Sequence, residues 1–222
     1  MVQLIFRPKK YLFTSILSIV CIFTQACGNK KEVEGIEGLL YLDGNPVSIE
    51  IVDGKITNIR QISSQQDMPK VYVAPGLIDI QINGYMGVNF SDQNLTVEDM
   101  HKATKALYKE GVTSYLPTVI TRDQERLLKS FSLLAKVLDD AGIGKSIPGF
   151  HLEGPYISPV KGFRGAHNET YIRNPDWIEL KELQKAALNK IALITVAPEM
   201  EGAIPFIKKC NESGVRVSLG HH

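Results

Sequence analysis

Hydrophobic positions along the chain follow two different periods, and the change from one to the other falls near Pro75. Residues 39–42, 47–52 and 55–62 are short strand-like runs, broken by Asp43-Gly44-Asn45 and by Asp53-Gly54. An Asp-Gly pair between alternating runs is a strong hairpin signal, because both central residues of the tightest hairpin turn need positive φ. With a polar loop at 63–67 and a short apolar run at 71–74, residues 36–74 read as a small antiparallel β-sandwich-type module.

Beyond Pro75, strand-like runs at 77–83, 113–119, 147–153, 191–197 and 215–220 alternate with helical stretches at 96–110, 123–140, 176–188 and 201–213. Gly111 and Gly214 stand at helix ends, as C-terminal glycines should. Strands joined by helices pair in parallel through right-handed crossovers. A doubly wound sheet and part of a (β/α)8 barrel both fit that alternation. The polar residues decide between them. Asp79, Gln81 and Asn83 on the first strand, His151 and Glu153 on the third, Glu199 after the fourth and His221-His222 after the fifth all lie toward C-terminal strand ends. That is the face on which a TIM barrel assembles its site, whereas no G-x-G-x-x-G follows the first strand to support dinucleotide binding. The fold class is α/β: a truncated (β/α)8 TIM barrel of about five βα units over residues 75–222, preceded by the β-module. A complete barrel has eight strands and about 250 residues, so the chain is expected to hold the N-terminal portion of one.

Residues 1–26 differ from everything that follows. Arg7, Lys9 and Lys10 precede an almost charge-free apolar run at 11–24, the layout of a secretory leader, and the run is too short for a comfortable membrane span. Ala26-Cys27-Gly28 resembles a bacterial lipoprotein cleavage site, with Cys27 as the lipid-bearing residue and 27–35 as a linker. The expected location is exported and anchored to a membrane through that lipid, or cytoplasmic if the leader does not function. Cys21 leaves with the leader and Cys27 takes the lipid, so Cys210 stands alone as a structural thiol and no disulfide framework is expected.

Composition narrows the partners. The 222 residues carry 25 Lys+Arg against 24 Asp+Glu with 44% hydrophobic residues, a globular balance without the basic face that nucleic acid requires. Residues two apart on a strand share a face, which pairs Gln81 with Asn83 and His151 with Glu153. A carboxylate and imidazoles converging from different strands can hold a zinc-type cation, which takes three protein ligands and leaves one position open for water. The alternative is that each is a loop residue with its hydrogen bonds satisfied locally.

Five segments in order tie these residues to a family. Residues 74–84 (Ala-Pro-Gly-Leu-Ile-Asp-Ile-Gln-Ile-Asn-Gly), His151-Leu152-Glu153-Gly154-Pro155-Tyr156, the loop from Lys161-Gly162 to Gly165-Ala166-His167, the turn Ala197-Pro198-Glu199-Met200 and Ser218-Leu219-Gly220-His221 resemble the N-acetylglucosamine-6-phosphate deacetylase branch of the amidohydrolase superfamily. The resemblance implies one divalent metal ion, zinc, held by Glu153 and His221, and an amino-sugar substrate contacted by Ala166 and His167. Gln81 and Asn83 stand where two-metal relatives carry His-x-His, and amides are poor zinc ligands beside imidazole, so one metal is expected. His151 is either an orienting partner of Glu153 or a packed, hydrogen-bonded histidine, and Glu199 is taken as a structural turn residue. The implied reaction is hydrolysis of the N-acetyl amide of N-acetylglucosamine 6-phosphate, in a complete enzyme that can form a homo-oligomer. The family's third metal ligand, a His after the sixth strand, and its general-base Asp after the eighth are expected beyond residue 222, so the 222 residues by themselves are expected to be inactive. A terminal His221-His222, where the family has His followed by Ser or Thr, fits a frameshift or a truncation more simply than a loose metal site. Two further readings stand beside this one: an exported amidohydrolase acting on an unphosphorylated N-acetyl sugar or another amide, motivated by the leader, and a non-catalytic lipoprotein remnant.

Overall fold

The structure is a computed structural model that describes residues 33–63 and 71–222. The leader, Cys27 and most of the polar loop after the third strand lie outside the described residues. Two compact units divide between Pro75 and Gly76. Among the described residues, no helix is long and apolar enough to cross a membrane.

In the first unit, β1 (Val33–Leu40), β2 (Pro46–Val52), β3 (Lys55–Gln61) and β4 (Tyr72–Val73) form one four-stranded sheet in the order β3-β2-β1-β4. β1 to β3 are antiparallel, and β4 joins β1 in parallel. The Asp53-Gly54 hairpin forms as the sequence indicates, with φ of 53° and 70° at its two central residues. Ile36, Val47 and Ile49 make the buried core, backed by Leu40, Ile51 and Val73. The strand expected at 39–42 lies further upstream. β1 begins at Val33, inside the stretch read as a linker, while Tyr41 and Leu42 fall in the connecting turn and are exposed. The reason is register: β1 pairs with β2 from Val33 opposite Val52 to Leu39 opposite Pro46, which leaves residues 41–45 to turn the corner. There the Asp43 carboxylate accepts from the Asn45 backbone N–H at 3.0 Å, fixing the turn.

The second unit is a curled five-stranded parallel sheet. β5 (Leu77–Ile82), β8 (Val112–Ile120), β9 (Phe150–Glu153), β10 (Ile191–Val196) and β11 (Arg216–Leu219) lie side by side in chain order. A doubly wound sheet reverses its strand order at a switch point; this sheet never does, and half of a TIM barrel is the result. The short hairpin β6 (Gly84–Tyr85) and β7 (Val88–Asn89), with no counterpart in the sequence reading, follows β5. Helices α1 (Val97–Lys109), α2 (Gln124–Ala135), α3 (Trp177–Ala186) and α4 (Ala203–Glu212) connect the strands.

Local signals start these helices. Thr96 and Asp99 form a capping box on α1, and the carboxylates of Asp123 and Asp176 cap α2 and α3. Each helix then buries one stripe. On α2, Leu127, Phe131 and Leu134 recur at helical spacing and are fully buried, with Phe131 packed on Phe150 of β9 at 6.0 Å between ring centroids. Cys210 closes the stripe of α4, and burial pushes its thiol up to about 11, the behaviour of a structural cysteine. β5 and β11 stand at the two edges of the sheet, where Leu77, Ile78, Ile80 and Leu219 are exposed.

Candidate metal centre

The candidate residues meet at the C-terminal ends of the strands. Glu153 is the last residue of β9 and is buried; His221 follows β11; His167 closes the loop after β9 and is also buried. One ligand atom from each of the three lies within 4.8 Å of the others.

Glu153 is gripped from several directions. Gln81 donates its amide N–H to Oε1 at 2.6 Å and Asn83 donates to Oε2 at 3.2 Å. Both amides come from the first barrel strand and its end, two residues apart and therefore on one face. They take no ligand position; they orient the carboxylate that has one to offer.

His221 sits against the same carboxylate. Its ring donates from Nδ1 to the Phe163 carbonyl at 2.8 Å, and its Nε2 lies 3.2 Å from Glu153 Oε1. In the neutral ring that tautomer leaves Nε2 without a proton, so a lone pair faces a carboxylate oxygen. A cation between the two atoms, a proton or a metal ion, satisfies both. Zinc with bonds of about 2.0–2.2 Å in a tetrahedral shell separates its ligand atoms by about 3.3–3.6 Å, close to the observed separation. The backbone is committed to this pose: His221 has a φ of 55°, a costly conformation for a residue with a Cβ, and its carbonyl accepts from Ser158 at 2.9 Å. The residues present thus fit a divalent metal ion.

His167 places Nδ1 2.6 Å from the hydroxyl of Thr121, which follows β8 and is fully buried. The His167 and His221 rings meet edge to face, with centroids 4.6 Å apart. Burial holds the His167 imidazole below its ordinary range, against an opposing pull from Glu153, so its neutral form is favoured.

Other residues fall elsewhere. His151, two positions before Glu153, is buried between two threonines, with Nδ1 3.3 Å from Thr118 Oγ1 and Nε2 2.8 Å from Thr195 Oγ1. Burial pushes it down to about 4. Its ring is thus packed and hydrogen-bonded on both nitrogens. Ala166 lies exposed beside His167, outside the cluster. Glu199 is exposed in the turn after β10, and His222 is exposed past the cluster. Thr121 was not singled out by sequence: a lone Thr after a strand carries no signal until its partner is placed.

Comparison with known proteins gives a consistent picture. Residues 72–222 match the Amidohydrolase family. The chain is 34% identical over 208 residues to an N-acetylglucosamine-6-phosphate deacetylase of Caenorhabditis elegans, covering 90% of this chain and 47% of that protein. It is 33% identical over 177 residues to an N-acetylgalactosamine-6-phosphate deacetylase of Escherichia coli O157:H7, covering 78% and 45%. Among solved structures, a D267A mutant of N-acetyl-D-glucosamine-6-phosphate deacetylase from Mycobacterium smegmatis, in complex with N-acetyl-D-glucosamine-6-phosphate, superposes with a TM-score of 0.72 at 27% identity, over 85% of this chain and 50% of that one. The N-acetylglucosamine-6-phosphate deacetylase of Thermotoga maritima gives 0.70 at 27% identity, over 85% and 48%. The chain spans about half the length of the curated relatives it matches.

Proposed function

The chain belongs to the amidohydrolase family, and from that membership we propose that its site serves the metal-assisted removal of the acetyl group from N-acetylglucosamine 6-phosphate, giving glucosamine 6-phosphate and acetate. The observation that carries the reading is the Glu153 carboxylate facing the Nε2 lone pair of His221 at the C-terminal end of the half-barrel. Glu153 and His221 would hold one divalent ion, with zinc as the proposed metal. When bound, such an ion polarises the amide carbonyl and lowers the pKa of a water.

The protein's own groups prepare that site. Gln81 and Asn83 fix the carboxylate plane through their amide N–H groups. The Phe163 carbonyl fixes the His221 tautomer. Thr118, His151 and Thr195 tie β8, β9 and β10 together below Glu153, so the strand ends keep their spacing.

Sugar binding tests the proposal, with acetate release as the measure of any turnover. The metal-loaded protein is offered N-acetylglucosamine 6-phosphate, N-acetylgalactosamine 6-phosphate and free N-acetylglucosamine, with sugar binding measured by calorimetry on the same preparations. Preference for the phosphorylated sugars supports the reading. Equal or better handling of the free sugar favours the second reading, an exported amidohydrolase of an unphosphorylated N-acetyl sugar or another amide, which the leader-like residues 1–26 support because sugar phosphates are cytoplasmic metabolites. Those residues also support a lipid anchor at Cys27; incorporation of labelled palmitate, abolished by Cys27→Ser, tests it.

A further inference from the structure

We propose that Arg173, locked to Glu179, is a positioning residue of the site: it clamps the base of the loop that carries His167 and braces the strand end against which that histidine leans. Its loss then costs substrate affinity and spares the metal. This rests on the deacetylase reading above and deepens it. A ring nitrogen of His167 lies within 4.8 Å of the ligand atoms of Glu153 and His221, so a molecule held between those two residues meets His167.

The loop leaves β9 at Gly154 and reaches α3 at its capping Asp176. Arg173 stands near its far end and ties that end to several places. Its backbone N–H donates to the Pro155 carbonyl at 3.2 Å, which closes the loop at its base. Its guanidinium grips the Glu179 carboxylate of α3 with two groups, Nε to Oε2 at 3.0 Å and Nη2 to Oε1. Its Nη1 donates to the Tyr171 carbonyl at 2.6 Å and to the Arg122 carbonyl at 3.0 Å. The last contact crosses to another strand end. Residue 122 follows Thr121, whose hydroxyl lies 2.6 Å from His167 Nδ1. One side chain thus holds both the loop that carries His167 and the backbone beside the group that His167 touches.

Glu179 is buried, and a carboxylate there is costly unless it is fully paired. The Tyr156 hydroxyl supplies a further partner, donating to Oε2 at 2.9 Å. Burial, reinforced by the Glu179 charge, pushes that phenol above its ordinary range, so it keeps the proton it donates. Tyr156 opens the loop that Arg173 closes, and its own carbonyl accepts from the Ala197 N–H after β10 at 2.9 Å. Stability alone does not account for such a network. Apolar side chains of similar volume often serve a buried position as well as an ion pair does, whereas a bidentate guanidinium–carboxylate pair fixes direction as well as distance. A lysine, a point charge without the planar fork, cannot serve the same acceptors.

The test separates position from stability. The 222-residue chain is compared as wild type, Arg173→Gln, Arg173→Lys and the apolar pair Arg173→Met with Glu179→Leu. Phe131→Ala, a truncation against the start of β9, is the control for lost stability. Calorimetry measures zinc affinity of the metal-stripped protein and N-acetylglucosamine 6-phosphate affinity of the zinc-loaded protein. Thermal unfolding gives stability, and hydrogen exchange read by mass spectrometry reports residues 156–172 separately from the rest. Each Arg173 variant should bind the sugar about 10–100-fold more weakly, keep zinc affinity within a few-fold of wild type, and exchange faster in residues 156–172 but not in β9 or α2. The apolar pair should regain stability relative to Arg173→Gln without regaining sugar affinity, and Phe131→Ala should lose stability and keep sugar affinity. Wild-type sugar affinity in the folded Arg173 variants overturns the proposal. Sugar affinity that recovers with stability in the apolar pair also overturns it, because the network is then structural only. A wild type that binds zinc and no sugar overturns the reading beneath the proposal, which falls with it.

Discussion

The Nε2 of His221 lies 3.2 Å from Oε1 of Glu153, across 68 residues of chain, and each partner is held from behind by a different group. The Phe163 carbonyl holds the imidazole and the Asn83 amide holds the far carboxylate oxygen. An arrangement that aims two acceptors at one point gains its stabilisation when a cation arrives. Zinc at 1,000 times its dissociation constant should raise the unfolding free energy of the metal-stripped protein by about 4 kcal/mol. Glu153→Ala should remove that gain, and urea unfolding with and without zinc reads the effect.

Gly154→Ala combines two penalties. A Cβ at φ of 75° costs about 1–2 kcal/mol, and that Cβ would meet the Thr121 hydroxyl at 2.1 Å. The variant should lose at least about 2 kcal/mol of stability in urea unfolding. A variant as stable as wild type would contradict this account of the strand end.

The buried His151 predicts a pH dependence. Its folded value of about 4 lies below the ordinary 6.5, so between those two values the unfolded chain binds a proton that the folded chain does not. The contribution is therefore intact above about pH 6.5 and is lost progressively as the pH falls toward 4. Unfolding free energies measured from pH 7.5 to 4 in metal-free protein should fall along this window more steeply in wild type than in His151→Gln. Two-dimensional NMR should show the His151 ring uncharged at pH 5.5.

The core beneath the site is tested by Phe131→Ala. Phe131 is fully buried and packs on Phe150, one strand position from His151. The truncation should cost about 3–5 kcal/mol, and because Phe131 packs on Phe150 at the start of β9 while Glu153 stands at its end, metal affinity in the protein that remains folded should stay within a few-fold of wild type.

The sequence made some of this architecture legible and hid the rest for identifiable reasons. Leu127, Phe131 and Leu134 recur at helical spacing after a capping Asp, so α2 was visible. Asp53-Gly54 marked its hairpin because backbone chemistry there is local. The start of β1 at Val33 was hidden, since Glu34 and Glu37 are polar and only the register with β2 makes this stretch a strand. Glu153 and His221 were visible at strand ends and through family resemblance. The approach of His167 to them was not, because it depends on the path of the loop from Lys161. Thr121 was invisible altogether, since nothing local marks one threonine hydroxyl as the partner of a distant histidine.

The central claim is that Glu153 and His221 share a divalent metal ion, and anomalous diffraction at the zinc edge from crystals soaked in zinc tests it most directly. The account predicts one strong peak about 2.0–2.2 Å from both a Glu153 carboxylate oxygen and His221 Nε2. Zinc found only elsewhere, such as on the exposed His222, with no peak between Glu153 and His221 would contradict it.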